Sequence, residues 1–148
     1  MEIKNTLLKP YTKEQKEDFI VSQNHRLGYE IRETETALEA WGLTEEEKAE
    51  QEAERIAKLH LTRGDVFRGL LQAKGITRAQ IRALIEAMPD ETQEQAFAKE
   101  MALIDFDEAL DFYRGVALID TIGAQLDITP EQMTAFFETG DWHELQGE

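Results

Sequence analysis

Apolar side chains return along this chain at intervals of three and four, the period of a helix, and seldom alternate as a half-buried strand requires. Only 3 prolines interrupt that pattern. Thr followed three residues later by Gln or Glu can close a helix start: the Thr oxygen accepts an orphan amide proton while the third side chain reaches back to the Thr amide. The pairs Thr12/Gln15, Thr36/Glu39, Thr44/Glu47, Thr77/Gln80, Thr92/Gln95 and Thr129/Gln132 carry this signature. About three such pairs arise by chance at this composition, so their placement says more than their number. All but Thr36 stand just before a helical stretch, and Gly42, Gly75 and Pro89 precede three of them as stop signals. The pattern predicts helices over about 12–25, 29–41, 44–60, 63–74, 77–88, 92–104, 106–125 and 130–139, with a short turn after Asp141. The expected fold class is all-α, a compact bundle of about eight short helices.

Between Leu103 and Ile122, residues such as Phe106, Leu110, Phe112, Val116 and Ile119 place apolar groups almost all round a helix, as in one enclosed by neighbours. This stretch is the expected central helix. Thr44 to Leu59 offers only a thin stripe of Ala49, Ala53 and Ile56, so that helix is expected at the surface. The segment 76–86 aligns without gaps on 128–138, and each follows an apolar helix, which predicts two helical hairpins of one design. Two copies fall short of a solenoid. The chain reads as one helical domain of 148 residues, with possible sub-lobes at 1–60 and 61–148.

With 31 acidic and 16 basic side chains the formal charge is −15. There is no cysteine, hence no disulfide framework, thiolate metal site or cysteine nucleophile. No apolar run approaches the roughly 20 residues of a membrane span, and Met1 to Tyr11 lacks the core of a secretory signal. A cytosol is the expected compartment. Residues 61–89 hold five basic and two acidic groups, whereas residues 90–148 hold two and fifteen. An acidic half of this kind is either a solvated face or the meeting surface for a basic partner.

The basic hairpin carries Arg63, Arg68, Lys74, Arg78 and Arg82. Gly75 at its turn and Leu70, Ile76, Ile81 and Leu84 on its apolar positions invite a helix-turn-helix reading, with Arg78 and Arg82 toward a major groove. Leu71 stands where close helix approach wants a small residue, Lys74 where an apolar one belongs, and the overall charge opposes the phosphate backbone. An αα-hairpin with solvent-facing arginines is the favoured reading. An acidic DNA mimic is the other nucleic-acid alternative.

Asp105, Asp107, Glu108 and Asp111 form the densest carboxylate cluster. A calcium loop fails on Ala109 at its fifth position and Leu110 where its glycine belongs. Arg114 lies three residues after Asp111, so a salt-bridged surface accounts for the cluster. Asp120 interrupts the apolar run Val116 to Ile122, and a carboxylate there needs a polar partner such as Tyr113, Thr121 or an arginine of the basic hairpin. His25, His60 and His143 are isolated, Ser22 is the only serine, and no phosphate-cradling glycine loop or nucleophile elbow is present. No catalytic residue, cofactor or metal is predicted. Asp120 and the carboxylate cluster are all that an enzyme reading has. Trp41 at the end of the second expected helix, with Phe136, Phe137 and Trp142 around the Gly140-Asp141 turn, are the candidate interface residues, because aromatic side chains dominate contact hot spots. The same residues serve equally in a core.

The stretch from Gly28 to Gly42, then His60 to Arg68, then Met101 to Arg114 resembles a group of small uncharacterised acidic helical proteins of gut Firmicutes and their prophages, found near tail or baseplate genes. The resemblance spans nearly the whole chain and carries over no activity and no site residues. It implies a phage-related structural or assembly context. The expected function is a non-enzymatic protein–protein interaction protein, an accessory or assembly factor whose partners include phage structural proteins.

Overall fold

The computed structural model describes residues 1–147 and contains strands as well as helices, which corrects the all-α expectation to a mixed α/β fold. In chain order the elements are β1 (Glu2–Leu8), α1 (Lys13–Ile20), β2 (Glu30–Glu33), β3 (Ala37–Gly42), α2 (Glu45–Ala57), β4 (His60–Thr62), α3 (Arg63–Lys74), α4 (Arg78–Glu86), α5 (Gln93–Glu108), β5 (Asp111–Tyr113), α6 (Ala117–Gln125) and α7 (Pro130–Thr139). A π-helical segment, Val21–Arg26, continues α1, and a 3-10 turn, Trp142–Leu145, follows α7. Two compact units divide the chain, Met1–Ala53 and the remainder from Glu54.

In the first unit the three strands form an antiparallel sheet in the order β1-β3-β2. Ile3 and Glu30 flank Trp41, and Leu7 and Glu33 flank Leu38, with a register shift between Ile3 and Asn5. Leu38 and Ala40 point to one face and pack with Phe19 of α1, supported by Leu7, Tyr11, Ile20, Tyr29 and Ile31. The predicted helix 29–41 is therefore a hairpin. Its turn is held by Thr34, whose hydroxyl accepts from the Ala37 amide and whose own amide donates to the Ala37 carbonyl. Thr36 precedes β3 and Glu39 lies within it, so their capping signature is the chance match among the six.

In the second unit Val66, Phe67 and Leu70 of α3, Ile81 and Ile85 of α4, Phe106 of α5, Ile119 and Ile122 of α6, and Met133, Phe136 and Phe137 of α7 enclose one core. The expected central helix Leu103 to Ile122 is not continuous. α5 ends at Glu108, β5 pairs antiparallel with β4, and α6 starts at Ala117. Phe112 sits fully buried opposite Leu61, the Arg114 amide donates to the Leu59 carbonyl, and the Gly115 amide donates to the Ala57 carbonyl. A Cβ at Gly115 would come within 2.8 Å of the Ala57 Cβ, so the close approach depends on glycine. The apolar groups that appear to ring one helix belong to two helices and a strand, each burying its own side. The echoing segments become α4 and α7, each started by a full capping box, Thr77 with Gln80 and Thr129 with Gln132. Among the described residues no helix is long and apolar enough to cross a membrane.

Candidate interaction surfaces

α5 is anchored by its cap, Thr92 with Gln95, and by Ala102 and Phe106, which face the core with Leu103 packed beside them. A helix turns about 100° per residue, so Phe97, Met101 and Ile104, at i, i+4 and i+7, share the opposite side. That side is open: Phe97 is 69% exposed, Met101 45% and Ile104 46%. The same geometry puts Glu94 and Asp105 along one flank of this stripe, Glu100 and Asp107 along the other, and Glu108 at its end. Arg82 holds Asp107 through one guanidinium nitrogen at 2.7 and 2.8 Å. No cation pairs with Glu94, Glu100, Asp105 or Glu108 among the described residues.

The arginines of the basic hairpin are mostly engaged within the chain. Arg63 donates to the Phe106 carbonyl and lies over the Phe67 and Phe106 rings, 5.0 and 5.3 Å from their centres. Arg68 pairs with Asp65 at 2.6 Å, and its hydrogen bond, with that from Thr62, holds the Asp65 carboxyl below its ordinary range. Arg82 adds Glu86 at 3.1 Å to Asp107. Lys74 and Arg78 remain exposed. Arg63, Arg78 and Arg82 line a shallow depression of about 450 Å³ with Thr77, Ala79 and Phe106.

No protein family, curated protein or solved structure matches this chain.

Of the aromatic candidates, Phe136 and Phe137 are core residues, packed edge-to-face with ring centres 5.9 Å apart. They occupy the inner side of α7, where Phe136 presses on Gly69 of α3, so neither is available to a partner. Trp142 is half-buried against the same core and stacks on His143, centre to centre 3.8 Å. Trp41 is half-buried on β3, away from the small core, with the Arg32 guanidinium 4.4 Å above its ring and its Nε1 donating to Glu39.

The carboxylate cluster is distributed over two elements. Asp111 belongs to β5, so it shares no helical face with Asp107. Arg114 does not pair with Asp111. Its guanidinium is buried and bonds the Asp120 carboxylate at 2.8 Å, the Thr134 hydroxyl at 3.1 Å and the Pro130 carbonyl at 3.2 Å. The polar group inside this region is thus the arginine, while Asp120 lies mostly in solvent and reaches back to it. Among the described residues no group of three or more His, Asp or Glu side chains is arranged to hold a metal.

The sequence reading does not single out Phe97 and Met101, and it encloses Ile104 within the expected central helix, whereas Ile104 is 46% exposed. The signal was present: within 92–108 apolar residues fall on two opposite sides of one helix, more than a single core contact uses.

Proposed function

We propose that this chain is a non-enzymatic protein–protein interaction protein, an accessory or assembly factor of a phage or prophage tail module acting in the bacterial cytosol. The observation that carries the reading is the outer face of α5, where three large apolar side chains stand about half exposed or more on a well-anchored helix. Isolated exposed apolar residues are ordinary, but a periodic stripe rimmed by charge is what contact surfaces look like. The phage context comes from the resemblance of residues 28–42, 60–68 and 101–114 to prophage proteins.

A photo-crosslinking amino acid at position 97, 101 or 104, expressed in bacteria carrying the prophage, tests it. The reading expects one defined phage or host protein to be captured at these positions, with no adduct from an exposed control position at Gln72 on α3. Absence of any light-dependent adduct at all three positions overturns it.

A further inference from the structure

Resting on that reading, we infer that the outer face of α5 receives a basic amphipathic helix of the partner, its apolar stripe laid on Phe97, Met101 and Ile104 and its Lys or Arg side chains on the acidic flanks. Phe97 to Ile104 covers eight residues, seven helical rises or about 10.5 Å along the axis, which is two turns of contact for a second helix. The occupant follows from the rim. Glu94 and Asp105 on one side, Glu100 on the other and Glu108 at the end form no ion pair among the described residues, so a partner that covers the stripe is expected to supply cations. Lys99 points to the core side and is held by Asp90 at 3.3 Å.

Two other occupants fit worse. A second copy of the chain would set carboxylates against carboxylates along the whole seam and bring together two bodies of charge −15. A membrane surface asks for Lys and Arg along the edges of an interfacial helix, and here the edges are acidic. A helical partner with positive flanks meets both requirements at once, apolar against apolar and charge against opposite charge.

The test uses purified full-length chain and three labelled peptides of about 18 residues in fluorescence anisotropy at physiological salt. One peptide is a Leu/Lys amphipathic helix, the second has the same composition shuffled so that Leu is spread around the helix, and the third replaces Lys with Glu. The amphipathic basic peptide is expected to bind at least about ten-fold more tightly than either control. Phe97→Ser and Ile104→Ser, both at exposed positions, are expected to weaken it several-fold while leaving circular dichroism and the urea midpoint unchanged. Equal binding of the shuffled peptide, or indifference to both substitutions, overturns the inference as mere attraction of opposite charge. Sedimentation velocity showing a dimer that Phe97→Ser dissolves also overturns it, in favour of a second copy. If crosslinking at position 97 captures a partner whose contacting segment is acidic or extended, this inference fails and the interaction reading survives. If no capture occurs at any stripe position, the interaction reading itself fails.

Discussion

Arg114 is the one buried cation among the described residues. It is 7% exposed, and its guanidinium ties the start of α7, through the Pro130 carbonyl and the Thr134 hydroxyl, to Asp120 on α6. Burying an arginine costs free energy unless its donors are matched, and here three of them are. Arg114→Met keeps much of the volume but strands two partly buried acceptors, each worth about 1–3 kcal/mol when left unpaired. A loss of about 2–4 kcal/mol in urea unfolding is expected. Asp120→Asn is expected to cost less than about 1 kcal/mol, because that carboxylate stands largely in solvent. An equal loss in both variants would mean that the ion pair, and not the buried hydrogen bonds, carries the contribution.

The surface carboxylates set a limit on acid stability. A hydrogen bond from Arg32 holds Glu30 low, one from Tyr11 holds Glu33, one from the N-terminal amine holds Glu47, Arg68 holds Asp65, and the His143 amide and ring hold Asp141. For each of these groups the unfolded chain takes up its proton at higher pH than the folded one. Their stabilisation is therefore complete above the ordinary carboxylate range and is lost as pH falls through the lowered values. Urea midpoints are expected to vary little between about pH 5 and 8 and to decline below about pH 4. Tyr11 and Lys4 are raised, by hydrogen bonding to Glu33 and Glu2, so their contribution fades only on the alkaline side of about pH 10.

At the scale of elements, α3 and α7 meet at Gly69, where a Cβ would lie 2.5 Å from the Phe136 ring. Alanine is the better helix former by about 1 kcal/mol. Phe136 is fully buried and has nowhere to move, so overpacking of about 1–3 kcal/mol wins and Gly69→Ala is expected to destabilise. A higher unfolding midpoint for Gly69→Ala would show that the α3–α7 contact is looser than this. The small residue that close helix approach wants is thus present, two positions before Leu71, where a helix-turn-helix reading does not place it.

How far the elements were legible follows the same physics. Helix starts are written locally: Thr12, Thr44, Thr77, Thr92 and Thr129 each accept from the amide three residues on, and each third side chain returns the bond. Strands are not written locally. Ala37-Leu38-Glu39-Ala40 is built from helix formers and becomes the central strand because β1 and β2 pair on either side of it. Phe112 and Tyr113 favour a strand, yet they sit in an apolar run long enough to pass for a helix until β4, about fifty residues earlier, supplies the partner. The candidate surface divides likewise. Phe136 and Phe137 carry the composition of a hot spot and the position of a core, and only the packing of α7 on α3 separates the two.

At the scale of the whole molecule, the two units differ sharply in what can hold each together. The sheet unit buries Phe19, Leu38 and Ala40 beneath a few half-buried neighbours, whereas the helical unit encloses a core that draws on five helices and β5. Domains near 50 residues bury so small a share of their surface that they are marginal without a disulfide or metal, and this chain has no cysteine. Charge adds to the disparity, since residues 1–53 carry seven basic and thirteen acidic groups around that small core. The boundary at Ala53 falls inside α2, a helix that buries no side chain. Residues 54–148 expressed alone keep Ala57 and Leu59, whose carbonyls receive the Gly115 and Arg114 amides. That fragment is expected to show helical circular dichroism and one cooperative urea transition, and residues 1–53 alone a broad transition or none. The expected asymmetry would be refuted by a cooperative transition in the short fragment together with a shallow one in the long fragment. Because α5 belongs entirely to the longer fragment, the peptide that binds the full chain is expected to bind that fragment with the same affinity.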